Sequence, residues 1–211
     1  MHAWAQLDTW QLMTISAALG FASGLRLYAV LFIVGAAGWL GWVPLPPGLE
    51  VLAHPLVLGA SGFMCAVEFF ADKIPAVDTL WDAIHTLIRI PAGAVLAAGV
   101  FGDQSPAALT FAAAILGGTL AAGSHLTKSG SRAVINTSPE PFTNWAASLT
   151  EDVAVGGLLW LAFAHPAVAL VVLAALVVLV IWLLPKVWRV LRRMFSRISG
   201  WFAGSAGPAR P

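Results

Sequence analysis

The sequence predicts an all-α polytopic membrane bundle of about six transmembrane helices. Three observations carry that prediction: composition, the spacing of apolar runs between Pro- and Gly-bearing turns, and the distribution of basic residues. Of 211 residues 59% are hydrophobic and 10% charged, and mean hydropathy is +0.85. A soluble globule of this size needs far more polar surface, so soluble classes are excluded. The single cysteine, Cys65, excludes an intrachain disulfide and a cysteine-based metal site, and reads as a small packing residue.

Six apolar helical segments follow in order, at roughly 12–40, 51–71, 79–101, 106–127, 144–164 and 167–184. Ala167 to Leu184 is apolar throughout and can cross hydrocarbon about 30 Å thick at about 1.5 Å per residue. Gly41–Gly48 (GWVPLPPG), Gly102–Pro106 (GDQSP) and His165-Pro166 punctuate one set of turns and lack Lys and Arg. Lys73, Lys128 and Arg132 lie by the other set. The positive-inside rule then places both termini in the cytoplasm, which requires an even number of spans. Trp39 and Trp42 mark the outer interface, and Trp4, Trp10, Trp182 and Trp188 the inner one. No basic region precedes the first apolar run, so a cleaved signal peptide is not expected. The location expected is the bacterial inner membrane.

The basic residues are concentrated at the end of the chain: six of the eleven lie between Lys186 and Arg210. Val187, Trp188, Leu191, Met194, Phe195, Ile198, Trp201 and Phe202 recur at helical spacing, with Arg189, Arg192, Arg193 and Arg197 opposite. That pattern predicts an interfacial amphipathic basic helix over 186–203 on anionic lipid, each basic group contributing about 1 kcal/mol. Residues 204–211 are expected to be a disordered tail, and 1–185 the transmembrane bundle. Lipid alone explains the arginines, so no nucleic acid is expected.

A shift of 64 residues (139 − 75 = 64) aligns the chain with itself. Gly59, Pro75, Thr79, Trp81, Thr86 and Gly93 meet Gly123, Pro139, Thr143, Trp145, Thr150 and Gly157. The implied repeat units, about 51–102 and 115–166, contain two crossings each and are therefore parallel. The register sets Glu68 opposite Arg132, offering a structural ion pair, and Asp72 opposite Asn136. Gly20, Gly24, Gly117, Thr119 and Gly123 provide small faces for close helix packing. Pro91 should kink the third helix and release a carbonyl.

The charges within the spans need explanation. An arginine mid-span, such as Arg26, costs about 2.5–3.5 kcal/mol on insertion scales and so must face the bundle and find a partner. Glu68, Asp72, Asp82, Glu151 and Asp152 are the candidates. Asp78, Asp82, His85 and Arg89 follow at steps of four, three and four on one helical face. They could relay protons or bind a divalent cation, although Asp78 could equally cap its helix. Lys128, Arg132 and Asn136 precede Ser138-Pro139, a good helix start. Glu151 and Asp152 are adjacent carboxylates about two turns inside the fifth helix, and His125 either pairs with them or sits hydrogen-bonded in the interior. With Lys73, these residues predict a nearly charge-balanced vestibule open to the cytoplasm. Any metal or cofactor stays open.

The strings Glu68–Pro75 (EFFADKIP), Asp78–Asp82 (DTLWD) and Asn136–Trp145 (NTSPEPFTNW) resemble a bacterial integral-membrane family known only as a domain of unknown function. The resemblance covers roughly residues 10–165. It implies that these positions belong to one site and transfers no activity.

Three functions fit. The first is a small transporter or permease whose vestibule takes an ion or a small polar or phosphorylated solute. The second is a membrane enzyme acting on a lipid headgroup, disfavoured because the chain has no HExxH and no serine or cysteine nucleophile context. The third is a non-catalytic scaffold. Expected partners are the lipid bilayer, anionic lipid at the C-terminal helix, an ion or small solute, and further copies of the chain in a homo-oligomer.

Overall fold

A computed structural model describes residues 7–102, 105–137 and 141–204, and within these all side chains except those of 141, 194, 195 and 197–204. Trp4, Ser138-Pro139 and the residues after Gly204 lie outside the described residues, as do the side chains of Met194, Phe195, Arg197, Ile198, Trp201 and Phe202.

The chain is all-helical over the described residues: α1 (Thr9–Trp39), a 3-10 helix (Pro47–Ala53), α2 (Pro55–Ala71), α3 (Val77–Gly99), α4 (Ala107–Ile135), α5 (Pro141–Ala164) and α6 (Pro166–Gly204). Local chemistry sets the ends. The Asp8 amide donates to Gln11 Oε1 at 2.8 Å, closing a capping box at the start of α1. Proline opens α2, α5 and α6, where its missing N–H costs nothing. Gly41 (φ 71°) and Gly102 (φ 59°) take the left-handed conformation just beyond α1 and α3.

Among the described residues four helices are long and apolar enough to cross a membrane: Thr9–Trp39, Ala107–Ile135, Phe142–Ala164 and Pro166–Arg193. The 3-10 helix and α2, bent by 70°, make a fifth if they form one broken span. The third helix, which carries Asp78, Asp82 and Arg89, is not among them. Two helices run past the ends read from hydropathy. The fourth continues to Ile135, because Lys128 and Arg132 point into the protein and are neutralised there. The sixth continues through Pro185 to Gly204, so the stretch expected as a separate interfacial helix extends the last apolar helix.

At the centre stands α1, buried on every side from Thr14 to Gly24. It has no polar face because it meets no solvent. It packs against α4 at Gly20, where a Cβ would collide with the Gly117 backbone, and at Gly24, against Ala121 and the Ser124 hydroxyl. Across the same seam a Cβ on Gly93 of α3 would fall 2.7 Å from Ser23 Oγ and 3.3 Å from the Gly117 carbonyl. Helices α1, α3 and α4 thus approach backbone to backbone, the packing that small residues permit in lipid. The other two small residues expected on this face differ: Thr119 bonds its own helix at Ile115 O (2.7 Å), and Gly123 makes ordinary contact with Val180 of α6. Large apolar side chains such as Phe63, Leu87, Val153 and Ile181 point outward and are mostly exposed, as a lipid-facing surface requires.

Candidate functional site: a buried charge network at a break in α1

The α1 backbone leaves helical geometry at one residue, Arg26 (φ −145°, ψ 77°). Pro91, by contrast, is accommodated within α3. At the break, carbonyls freed from helical bonding are taken by cations from other helices. Lys128 Nζ donates to Leu25 O at 3.0 Å, and Arg89 Nη1 reaches Gly24 O at 3.5 Å. Buried backbone acceptors in a span must be paired, and here charged side chains do it.

From Arg26 the charges alternate through the bundle. Arg26 Nη1 lies 2.9 Å from Asp72, the residue capping the end of α2, and Nε lies 3.1 Å from Asp152 and 3.8 Å from Glu151 on α5. Its Nη2 donates to Ser148 Oγ at 2.7 Å and Ser148 O at 3.1 Å. Lys128 Nζ is 2.7 Å from Asp72, 3.5 Å from Glu151 and 3.6 Å from Asp82. Arg89 joins Asp82 at 2.9 Å to Glu68 at 2.6 Å. Arg132 holds Glu151 with two nitrogens, at 3.0 and 3.3 Å. It also donates to Asn144, through its carbonyl at 2.8 Å and its side-chain oxygen, and to Asp72 O at 3.3 Å.

Arg26, Glu68, Asp72, Asp82, Arg89, Lys128, Arg132, Glu151 and Asp152 therefore form one network. The side chains of Arg26, Glu68, Asp72, Asp82, Arg89, Lys128 and Arg132 are at most 1% exposed, against 15% for Glu151 and 29% for Asp152. Among the described residues these charges pack against one another. The expected Glu68–Arg132 ion pair does not form: Glu68 takes Arg89 and Arg132 takes Glu151. The physical reason is proximity, since α3 and α5 each bring a partner closer than the aligned position does.

The remaining candidates stand at the margin. Asp78 accepts from Asn136 Nδ2 (2.6 Å) and from the Thr79 amide (2.5 Å), tying the start of α3 to the end of α4. His85 donates from Nδ1 to Trp81 O (2.8 Å), which leaves Nε2 to accept from the Tyr28 hydroxyl at 3.1 Å. Its ring stacks on Trp81, centroids 4.1 Å apart. Asp78, Asp82 and His85 share a face yet turn to three different sets of partners. Among the described residues no group of three His, Cys, Asp or Glu side chains is placed to hold a metal ion.

Lys73, in the turn between α2 and α3, lies 3.0 Å from the Phe69 ring centroid and 3.3 Å from Ser148 Oγ. Burial there lowers its ammonium pKa from the ordinary value, against the opposing pull of Asp152 and Asp72. His125 is an interior histidine with both ring nitrogens engaged. Arg89 can only donate, so Nδ1 accepts from it (3.2 Å). The Thr86 hydroxyl spends its proton on Asp82 O (2.9 Å), so Nε2 donates to Thr86 (2.8 Å).

Ser148 and Tyr28 were not predicted. Ser148 follows Asn144 by four residues and precedes Glu151 by three, on the same face of α5. Tyr28 is the chain's one tyrosine, two residues beyond Arg26.

The profile of a family described as Domain of unknown function (DUF4126) matches residues 13–186. The chain belongs to the DUF4126 family. The match spans every helix that contributes to the network, from α1 to α5. No curated protein and no solved structure matches this DUF4126 chain.

Proposed function

We propose that this DUF4126 protein is a small transporter or permease whose charge network handles an ion or a small polar or phosphorylated solute from the cytoplasmic side. The observation that carries the reading is the break in α1 at Arg26, where backbone carbonyls and buried charges meet inside a membrane span. Interrupted helices with intramembrane charges mark ion and solute sites in transporters. Arg26, Lys128 and Arg132 would meet an anionic group, while Glu68, Asp82, Glu151 and Asp152 would handle protons or cations. The ion pairs must part for a solute to enter, so the geometry corresponds to a closed state, and Lys73, Asp78, His85 and Asn136 would border the vestibule when it opens.

Six crossings follow if the bent pair forms one span and α3, screened by its partners, forms another. Two features support the repeat. The register maps α3 (77–99) onto 141–163 of α5, and it maps the end of α2 at Ala71 onto the end of α4 at Ile135. The contacts also run in both directions: Asp72 and Lys73 meet Asn144 and Trp145, and Asn136, aligned with Asp72, meets Asp78 and Thr79, within two residues of the aligned Leu80.

The test is flux in proteoliposomes loaded with a panel of inorganic ions, carboxylates and phosphorylated solutes. Protein-dependent flux should be lost in Arg26→Ala and Glu68→Gln that still insert. Leakage equal to that of empty liposomes across the panel would count against transport. A scaffold is the second reading, favoured because the same ion pairs join α1 to α5. Strong stability coupling between Arg132 and Glu151 in a double-mutant cycle, with cellular function intact when the pair is replaced, would select it.

A further inference from the structure

The network is unequal at its two ends. Asp72 lies within 4 Å of Arg26 and Lys128, Asp82 of Arg89 and Lys128, and Glu151 of Arg26, Lys128 and Arg132. Glu68 and Asp152 terminate the chain, each with one cation. The two ends differ in their surroundings. Asp152 is 29% exposed and also lies in the field of Lys73, so its charge is met from outside the network. Glu68 is closed off, its side chain 1% exposed. Its cation, Arg89, is already held by Asp82 and is further engaged by His125 and Gly24 O.

One guanidinium thus serves two buried carboxylates at the α2–α3 end. Glu68 Oε1 accepts from Arg89 Nη2, while Oε2 is buried with no hydrogen-bond partner. The other groups acting on Glu68 are farther away: Arg26 and Tyr28 from α1, Lys128 from α4, and Cys65 and Asp72 from its own helix. Of these, Arg26 and Lys128 are both bound to Asp72. A buried carboxylate sharing its only near cation, with one oxygen unsatisfied, is costly. A proton there removes the charge, which is the costliest part of that burial.

We infer that Glu68 is a proton-binding site, holding a proton on Oε2 because Asp82 competes for Arg89. The step is a simple one: a proton from water joins the Glu68 carboxylate, and Arg89 remains paired with Asp82. Opening of the network that released Arg89 from Asp82 would let Glu68 ionise and discharge that proton. Coupling of the proton to solute movement rests on the transport reading above; occupancy of the site does not.

The experiment is infrared difference spectroscopy on the full chain in lipid nanodiscs at neutral pH, in H2O and D2O. The wild type is expected to show a carboxylic-acid carbonyl band that shifts in D2O and is lost in Glu68→Gln. Asp82→Asn gives Arg89 to Glu68 alone, so the same band should disappear and a carboxylate band replace it, although no glutamate has been changed. This second variant carries the test if Glu68→Gln fails to fold. A wild-type spectrum with no acid band removed by Glu68→Gln, or an acid band that survives Asp82→Asn, overturns the inference. Flux of the same variants in proteoliposomes is scored separately. An acid band in protein that moves no solute upholds the proton site and removes transport, and an ionised Glu68 in a transporting protein does the reverse.

Discussion

At the scale of single residues, the value of each charge lies in what its loss would strand. Arg132 is the clearest case. It satisfies both oxygens of Glu151 and also reaches Asn144 and Asp72 O. Replacing it leaves Glu151 to the more distant Arg26 and Lys128 and strands the acceptors at Asn144 and Asp72 O, at about 1–3 kcal/mol. Arg132→Gln should therefore lower stability by that order in denaturant titration of the reconstituted protein, and adding Glu151→Gln should restore part of the loss. Equal stability of the single variant and the wild type would contradict the pairing. Sequence reading found most of these residues, because an ionisable group inside an apolar run is conspicuous and must face inward. It could not assign partners. Which carboxylate meets Arg132 depends on where α5 sits relative to α2, and spacing along one chain says nothing about that. Ser148 escaped because a serine in a span is cheap and common; only Arg26 beside it makes it part of the site.

At the scale of elements, helices were legible from hydropathy and their turns from Pro and Gly, whereas two ends were not. Charges normally stop a hydropathy segment, yet α4 runs on through Lys128 and Arg132 because their charges are met inside. The break in α1 was equally hidden: it has no proline, and it arises where Lys128 and Arg89 draw on the backbone. Packing separates the glycines sharply. A side chain at Gly20 would strike the Gly117 backbone, whereas one at Gly157 meets nothing within 4 Å. Gly20→Val should cost at least about 1–3 kcal/mol as overpacking. Gly157→Ala should be neutral, or stabilising by up to about 1 kcal/mol through helix propensity. Thermal unfolding of the two variants in one detergent checks the contrast, and similar losses in both would refute the close α1–α4 approach.

For the whole molecule, composition points to a membrane protein, while the pairing of the buried charges depends on how the helices meet in space. The proposed orientation, argued from the basic residues near the end of the sequence, is open to direct measurement. In a Cys65→Ala background, a single cysteine at Trp42 and another at Arg192 should react with a membrane-impermeant thiol reagent from opposite sides. Both positions are exposed. Labelling of both from one side would contradict the topology argued from the positive-inside rule, and labelling from exchanged sides would invert it. The three helices α1, α3 and α4, joined backbone to backbone, make a stiff keel. Beside it α2 is fastened differently: of its own residues only Ser61, Glu68 and Ala71 are buried, while Asp72 at its cap clasps Arg26 and Lys128. Its adhesion thus combines packing on α1, as at Gly62 against Phe32, with an electrical latch at its end. Packed helices separate against a loss of contact area that no solute can refund, whereas a charge-latched helix separates at a cost that any bound proton or ion alters. On the proposed function, a proton or ion entering the network would therefore change how tightly α2 is fastened to the keel.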